Sequence, residues 1–425
     1  LSWNNGLNLS TFGQKFSGNA GITVLMDDIT NALSSGRDMI MMGGGNPANV
    51  PEIEAIMQQR LQKLANDPAA VRSLLGSYDP AQGNADLIDA LATLFSKKLG
   101  WPVTRKNIAL TNGSQSAFFM LFNMLAGQFD DGTQKQIQLP MAPEYIGYAD
   151  AGIGQSLFTA AHPNIDELEQ RQFKYRVKFD DLHVGPNTGA ICVSRPTNPT
   201  GNVITDDEVE QLDALAKANN VPLIIDGAYG IPFPGLIYTP ATPFWNDNTI
   251  VCLSLSKFGL PGARTGIVVA NEETIQTIAG INAIINLASG SFGAALTTDM
   301  IATGEIIDLS QRVVRPAYEA QLAFAQKTLH QVMDSNVPYA MHKPEGAMFL
   351  WLWFKDMPIT SQTLYQRLKE RGVIVVSGHN FFVGINDDWQ HQHQCIRINY
   401  AAQTSERIAL GLTIIADEVC KAYLG

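Results

Sequence analysis

The chain has 425 residues, of which 45% are hydrophobic and 16% charged, with a net charge of −11 and no run of lysines or arginines. That length exceeds one simple core, and the composition is that of a folded enzyme rather than a disordered or nucleic-acid-binding chain. No apolar stretch reaches membrane-spanning length and no basic-then-apolar leader opens the chain, so the expectation is a cytoplasmic protein with neither nucleic acid nor membrane as partner.

The first residues, Leu1-Ser-Trp-Asn-Asn-Gly, are set aside as a processed or added end. Residues 10–50 are expected to form an N-terminal segment packing on a smaller domain. Residues 51–315 are expected to form the large domain, and residues 316–425 the small C-terminal one. Between about 85 and 270, helix-like segments alternate with short apolar runs: Ile108-Ala-Leu110, Gln136-Ile-Gln-Leu139, Ala190-Ile-Cys-Val193, Leu223-Ile-Ile-Asp226, Ile250-Val-Cys-Leu253 and Gly266-Ile-Val-Val-Ala270. This pattern predicts an α/β fold with a mostly parallel sheet, and ligands of such sheets bind where the strands end. The clusters at those ends, near Thr111–Gln115, 140–145, 195–198, 226–229 and 254–257, would converge on one cleft. Residues 309–333 read as a long helix with Pro316 as a kink. The strands 347–353 and 395–400 and the helices 361–371 and from 405 onward build the α+β small domain. Cys192, Cys252, Cys395 and Cys420 lack C-x-x-C spacing and read as reduced core residues.

The chemistry concentrates in Ser254-Leu-Ser256-Lys257, with Arg264 seven residues on. A lysine at a strand end beside two hydroxyls and a guanidinium suits a Schiff-base nucleophile with an anion grip; in isolation the same string is a surface turn. Asp226 closes an apolar strand, where a carboxylate needs a cation such as a protonated pyridine nitrogen, or else caps a helix or binds a metal. Tyr229 and Asn198 can direct a hydroxyl and an amide into the same cleft, although a packed tyrosine and a plain Asn-Pro-Thr-Gly turn are the simpler readings. Ser114 and Gln115 open a helix and offer backbone amides to an anion, or Ser114 is merely its N-cap. Tyr145 suits the flat face of a ring or the core. Arg397 interrupts an apolar strand and suits a carboxylate, or an inter-domain ion pair. Gly43-Gly-Gly-Asn-Pro47 lacks the strand-to-helix context of dinucleotide binding, and His391-x-His393 lacks further ligands, so no metal is assigned.

Taken in order, Ser114-Gln115, Tyr145, Asn198-Pro-Thr-Gly201, Asp226-x-Ala-Tyr229, Ser254-x-Ser-Lys257, Arg264 and Arg397 resemble the class I/II aminotransferases of the aspartate-aminotransferase fold, from about Phe12 to Tyr423. Within that family the wording of 143–152, 194–205, 343–353 and 378–382 is closest to the valine–pyruvate aminotransferases. The resemblance implies a seven-stranded-type sheet sandwiched by helices (fold type I) and pyridoxal 5'-phosphate bound to Lys257. It also implies Asp226 at the ring nitrogen, Asn198 and Tyr229 at the phenolate oxygen, and Tyr145 stacked on the ring. The phosphate falls to Ser254, Ser256, Arg264 and the amides of Ser114 and Gln115, and Gly45, Asn198 and Arg397 fall to the substrate. Tyr78, with Gly83, is implied to reach a neighbouring subunit's phosphate in a homodimer with shared active sites. The implied substrates are an amino acid and a 2-oxo acid, valine and pyruvate, with an apolar pocket drawn from Gly21-Ile-Thr-Val-Leu25, Tyr145 and the loop 287–292. Another apolar amino donor or a same-fold lyase shares every cofactor residue. A non-catalytic amino-acid sensor would need a basic module that no segment supplies.

Overall fold

The computed structural model describes residues 8–17, 27–28, 30–31, 36–154 and 156–424. Seven strands form the central sheet, in the order Ile108–Asn112, Thr265–Val269, Thr249–Ser254, Leu223–Asp226, Thr188–Ser194, Gln134–Leu139 and Phe158–Ala160, and a two-residue arm, Gly127–Gln128, pairs with the start of Gln134–Leu139. Strands 188–194, 223–226 and 249–254 are buried at every position, because helices cover both faces of the sheet. All six apolar runs read from the sequence are strands of this sheet.

One strand runs backwards: Thr265–Val269 is antiparallel to both of its neighbours. The start of Thr265–Val269 therefore lies at the edge where Ile108–Asn112 and Thr249–Ser254 end, with Thr265 opposite Asn112 and Gly266 opposite Ser254. Arg264 and Lys257 are thereby brought to one edge with Gly113, which comes from a distant part of the chain.

A second sheet of six strands runs Val376–Ser377, Cys395–Asn399, Phe349–Phe354, Tyr339–His342, Gln172–Arg176, Asn164–Leu168. Its last two strands come from the middle of the chain, a feature no apolar run predicted, since Asn164–Leu168 is largely exposed and rich in charge. The parallel pairing of 339–342 with 172–176 ties this sheet to the chain that built the first one. Lys174, on the strand Gln172–Arg176, is buried and pairs with buried Glu345 while also donating to Asn202 Oδ1 (2.9 Å) and the Val203 carbonyl (3.0 Å).

The long helix expected over 309–333 is broken into Glu305–Leu309, a π-turn at Ser310–Val314 and Arg315–Val332. Pro316 follows the π-turn directly, and the irregular bonding of that turn accommodates its missing N–H within the helical run. The N-terminal segment divides. Ile40–Met41 pairs in parallel with Val373–Ile374, and Asp28 contacts Tyr365 and Lys369, so these parts meet the C-terminal segment. The helix Thr11–Ser17 lies instead against the first sheet's helices, with Phe16 6.4 Å from Phe119 and Lys15 Nζ 2.5 Å from the Gly154 carbonyl. Among the described residues no helix is long and apolar enough to cross a membrane.

Candidate active site

A cleft of about 240 Å³ opens at the strand-end edge of the first sheet, bounded on the far side by Arg397 of the second. Ser114, Gln115, Tyr145, Asn198, Asp226, Tyr229, Ser254, Ser256, Lys257, Arg264, Gly45 and Arg397, which the sequence singled out for cofactor or substrate, all line it; Tyr78 and the loop 287–292 do not. Tyr78 is 84% exposed, outside the cleft of its own chain.

Lys257 occupies a one-turn 3₁₀ segment, Ser256–Phe258, directly after its strand. Its ammonium donates to the Gly45 carbonyl at 2.5 Å and lies 5.4 Å from the centre of the Tyr229 ring. Burial, with Arg397 and Arg264 nearby, lowers its pKa to about 8, against a weaker opposite pull from Asp226. Such an amine is neutral for a useful fraction of the time near neutral pH, as a nucleophile or proton carrier must be.

Asp226 is buried at the end of its strand, accepting from the Tyr148 hydroxyl at 2.6 Å and the Ala228 N–H at 2.9 Å. Desolvation raises its pKa, while the two hydrogen bonds and Lys257 oppose the shift. A buried carboxylate with two neutral donors suits a cationic ring nitrogen.

At the other end of the cleft is an anion cradle. The helix Ser114–Leu125 begins after Gly113, which supplies no side-chain cap, so Ser114 is the first helical residue and not the N-cap. The first-turn N–H groups and the helix dipole face the cleft. Gly113 has φ +81°, and a Cβ there would fall 2.2 Å from Arg264 Nη2; a Cβ on Gly266 would fall 2.7 Å from the Ser114 nitrogen. Glycine at both positions lets guanidinium and backbone amides crowd round one point. Ser254 and Ser256 adjoin them, with Ser256 N–H donating to Ser254 Oγ at 3.1 Å. The donor set of amides, hydroxyls and a guanidinium is that of a phosphate site.

Arg397 is 3% exposed, its guanidinium 4.4 Å from the Phe349 ring centre and 5.1 Å from that of Phe381. Nη1 donates to Asn198 Oδ1 at 2.7 Å and Nη2 to the Gly43 carbonyl at 2.5 Å, while Nε is buried without a protein partner. Burial lowers its pKa to about 10, which leaves it charged at neutral pH. The inter-domain ion pair that the sequence left open for this arginine is not made: no carboxylate contacts it among the described residues. Asn198 has its carbonyl engaged by Arg397, so its amide NH₂ remains for the cleft. Tyr229 is buried edge-on to Phe349, and burial pushes its phenol pKa upward. The Tyr145 ring packs on Gly147, where a Cβ would lie 2.3 Å away, and stands edge-on to Tyr148.

Three site groups escaped the sequence reading: Tyr148 on Asp226, the Gly43 carbonyl on Arg397, and the phenyl rings of Phe349 and Phe381. The second tyrosine in Pro143-Glu-Tyr-Ile-Gly-Tyr148 was the available signal. The pocket segment Gly21–Leu25 lies outside the described residues. Leu287 and Phe292 are exposed and do not line the cleft of their own chain. His391 and His393 diverge, the first to Tyr175 and the second to Asp388, and among the described residues no cluster could hold a metal ion.

The sequence model of the family described as aminotransferase class I and II matches residues 37–415. The chain is 50% identical over 417 residues to the valine–pyruvate aminotransferase of Escherichia coli K12, covering 98% of this chain and 99% of that one. Among solved structures it matches a putative amino-acid aminotransferase from Psychrobacter arcticum with a TM-score of 0.96 at 44% identity, covering 99% of this chain and all of that one. It also matches the valine–pyruvate aminotransferase of Salmonella typhimurium LT2 with a TM-score of 0.87 at 48% identity, covering 95% of this chain and all of that one. With a family match over most of its length and relatives at this identity, the chain belongs to the class I and II aminotransferases.

Proposed function

We propose that the chain transfers the amino group of L-valine to pyruvate, giving 3-methyl-2-oxobutanoate and L-alanine, with pyridoxal 5'-phosphate held in this cleft. The observation that carries the reading is the meeting of two opposed sites in one cleft: a half-buried, easily deprotonated Lys257 shares it with the buried carboxylate of Asp226 and a cradle of anion donors. The residues fit the cofactor. Asp226 would hold its ring nitrogen, Asn198 and Tyr229 its phenolate oxygen, and Ser114, Gln115, Ser254, Ser256 and Arg264 its phosphate, while Tyr145 would cover a ring face. Bound there, the cofactor supplies an aldehyde that accepts the amino group and a ring that draws electrons from the substrate Cα.

The protein's own groups do the rest. Arg397, beside two phenyl rings, lines the cleft and would offer its guanidinium to the amino acid's carboxylate, and Asn198 fixes the guanidinium from one side. Holding the carboxylate fixes the orientation of the Cα–H bond. Lys257 Nζ would take that proton and deliver it, within the same half-reaction, to the carbon that carried the cofactor's aldehyde, and would run the transfer backwards for the 2-oxo acid, its pKa near 8 suiting both directions. Phe118, Ile146 and Tyr145 give the cleft an apolar wall, which favours an aliphatic side chain.

The proposal includes a homodimer with shared active sites. Tyr78, Ile284, Leu287 and Phe292 all leave large apolar surface exposed, and Asn282 Nδ2 bonds the Ala81 carbonyl at 2.7 Å, so the turn after Tyr78 and the helix Glu272–Asn286 share one flank. Tyr78 and loop 287–292 would complete a neighbouring copy's cleft. Purified protein supplied with the cofactor, valine and pyruvate should form alanine and 3-methyl-2-oxobutanoate in equal amounts. Alanine formation from a different donor only, or ammonia release in place of alanine, would overturn the substrate assignment.

A further inference from the structure

Behind Asp226 lies an acid that the reaction does not touch. Glu144 is 1% exposed and follows Pro143 in the segment that carries Tyr145. Its Oε1 accepts the Ser194 N–H at 2.9 Å, its Oε2 accepts the Tyr145 N–H at 3.1 Å, and Oε2 lies 2.6 Å from Ser194 Oγ. Ser194 Oγ lies 3.3 Å from the Tyr148 hydroxyl, which in turn meets Asp226 Oδ2 at 2.6 Å. The four side chains form a continuous file from Glu144 to the carboxylate at the cleft floor. Among the described residues no lysine, arginine or histidine makes an ion pair with Glu144. The titratable groups around it are Asp226, Tyr148 and Cys192, all of which favour a neutral neighbour.

Counting protons along the file decides its polarity. If Glu144 is ionised, the single Ser194 hydroxyl proton points to Glu144, Tyr148 points to Asp226, and the Ser194–Tyr148 contact holds no hydrogen. Two negative carboxylates then share one dry region. If Glu144 keeps its proton, the acid donates to Ser194 Oγ, Ser194 donates to the Tyr148 oxygen, and Tyr148 donates to Asp226. Every contact is then a hydrogen bond and each one polarises the next toward Asp226. We infer that Glu144 is a positioning residue that works as a neutral acid, its proton ordering Ser194 and Tyr148 so that the floor's only negative charge sits on Asp226. Burial, helped by the Asp226 charge, acts in the same direction and lifts the Glu144 pKa to about 7 against the opposing hydrogen bonds from Ser194 and the Tyr145 N–H. Glu144 also bonds the Phe381 carbonyl through its own N–H at 2.8 Å, and Phe381 flanks Arg397, so the same residue braces both ends of the cleft.

The inference rests on the proposed cofactor role of Asp226, and its test separates the two. Glutamine mimics a protonated acid toward Ser194, because an NH₂ in place of Oε2 can donate to Ser194 Oγ while its carbonyl accepts the Ser194 N–H; only the longer Tyr145 N–H contact of Oε2 is given up. The first readout is the dissociation constant of pyridoxal phosphate from reconstituted apoprotein. Glu144→Gln should stay within about threefold of wild type, while Glu144→Ala should weaken binding about tenfold or more. Equal loss in both variants would mean that the carboxylate form is the working one and would overturn the inference. The second readout needs no cofactor. Infrared difference spectra of wild-type apoprotein carrying δ-¹³C-glutamate should show a protonated glutamic-acid C=O band that titrates near pH 7, and the band should be missing in Glu144→Gln. Absence of that band in wild type, or its persistence in the variant, would also overturn the inference. If wild-type protein does not bind the cofactor, the functional reading fails while the infrared result still decides the proton on Glu144.

Discussion

Replacing Arg397 by glutamine tests the substrate grip quantitatively. The guanidinium lines the cleft and can offer a carboxylate two charge-assisted hydrogen bonds. At about 1.5–3 kcal/mol each, their loss amounts to about 3–6 kcal/mol, or a fall in kcat/KM for valine of about 10² to 10⁴. Disturbance of Phe349, Phe381, Asn198 and Gly43, which all contact the guanidinium, would add to that loss. A second substrate separates the two contributions. Isobutylamine has the carbon skeleton of valine without the carboxylate, so its single-turnover rate with the loaded protein should be low in wild type and change less than about threefold in Arg397→Gln. Arg397→Lys should recover only a small share of the valine rate, because a point charge cannot make the two-pronged contact. An equal loss for valine and the amine would show that Arg397 holds the cleft together and does not bind the carboxylate.

Other outcomes follow from the same geometry. Reductive methylation of Lys257 in apoprotein should accelerate as pH rises through about 8, whereas an ordinary lysine would do so near its usual 10.5; mass spectrometry of the Lys257 peptide across pH reads this directly. Gly113→Ala puts a Cβ against Arg264 at φ +81° and should weaken cofactor binding at least about tenfold without changing the oligomeric state, as measured by equilibrium dialysis and light scattering. For Glu144 the folded pKa of about 7 lies above the ordinary 4.5, so the folded state holds the proton more tightly. Its contribution is therefore fully present below about pH 4.5 and lost as pH rises through 7, about 3 kcal/mol in all. Urea unfolding between about pH 5 and 8.5 should show wild-type stability falling by more than that of Glu144→Gln. Removing one partner of the buried Lys174–Glu345 pair, as in Lys174→Met, should cost about 3–5 kcal/mol in the same assay, since Glu345 would keep a buried charge.

Six strands of the first sheet were legible because each holds a short apolar run that is mostly buried, and most are followed by a polar cluster; the three-residue, partly exposed Phe158–Ala160 was not. The cleft was legible because those clusters carry Lys257, Asp226, Asn198 and Arg264 at the strand ends. The antiparallel run of Thr265–Val269 was not, since local pattern says nothing of direction, yet it is the reason Arg264 reaches the same edge as Ser114. The strands Asn164–Leu168 and Gln172–Arg176 join the second sheet through the distant strand Tyr339–His342, and the exposed surface of the first of them leaves no apolar run to read. Tyr148 and Glu144 look like core residues in sequence. Their roles come from contacts with Asp226 and Ser194, 78 and 50 residues distant, which only the packed fold brings together.

The most direct measurement is the visible spectrum of cofactor-loaded protein during sequential addition of L-valine and pyruvate. The account predicts that the band of the Lys257-bound cofactor falls when valine is added and returns with pyruvate, with one alanine formed per site, and that Lys257→Ala shows neither change. A band that ignores valine, or a Lys257→Ala protein that cycles at the wild-type rate, would contradict it.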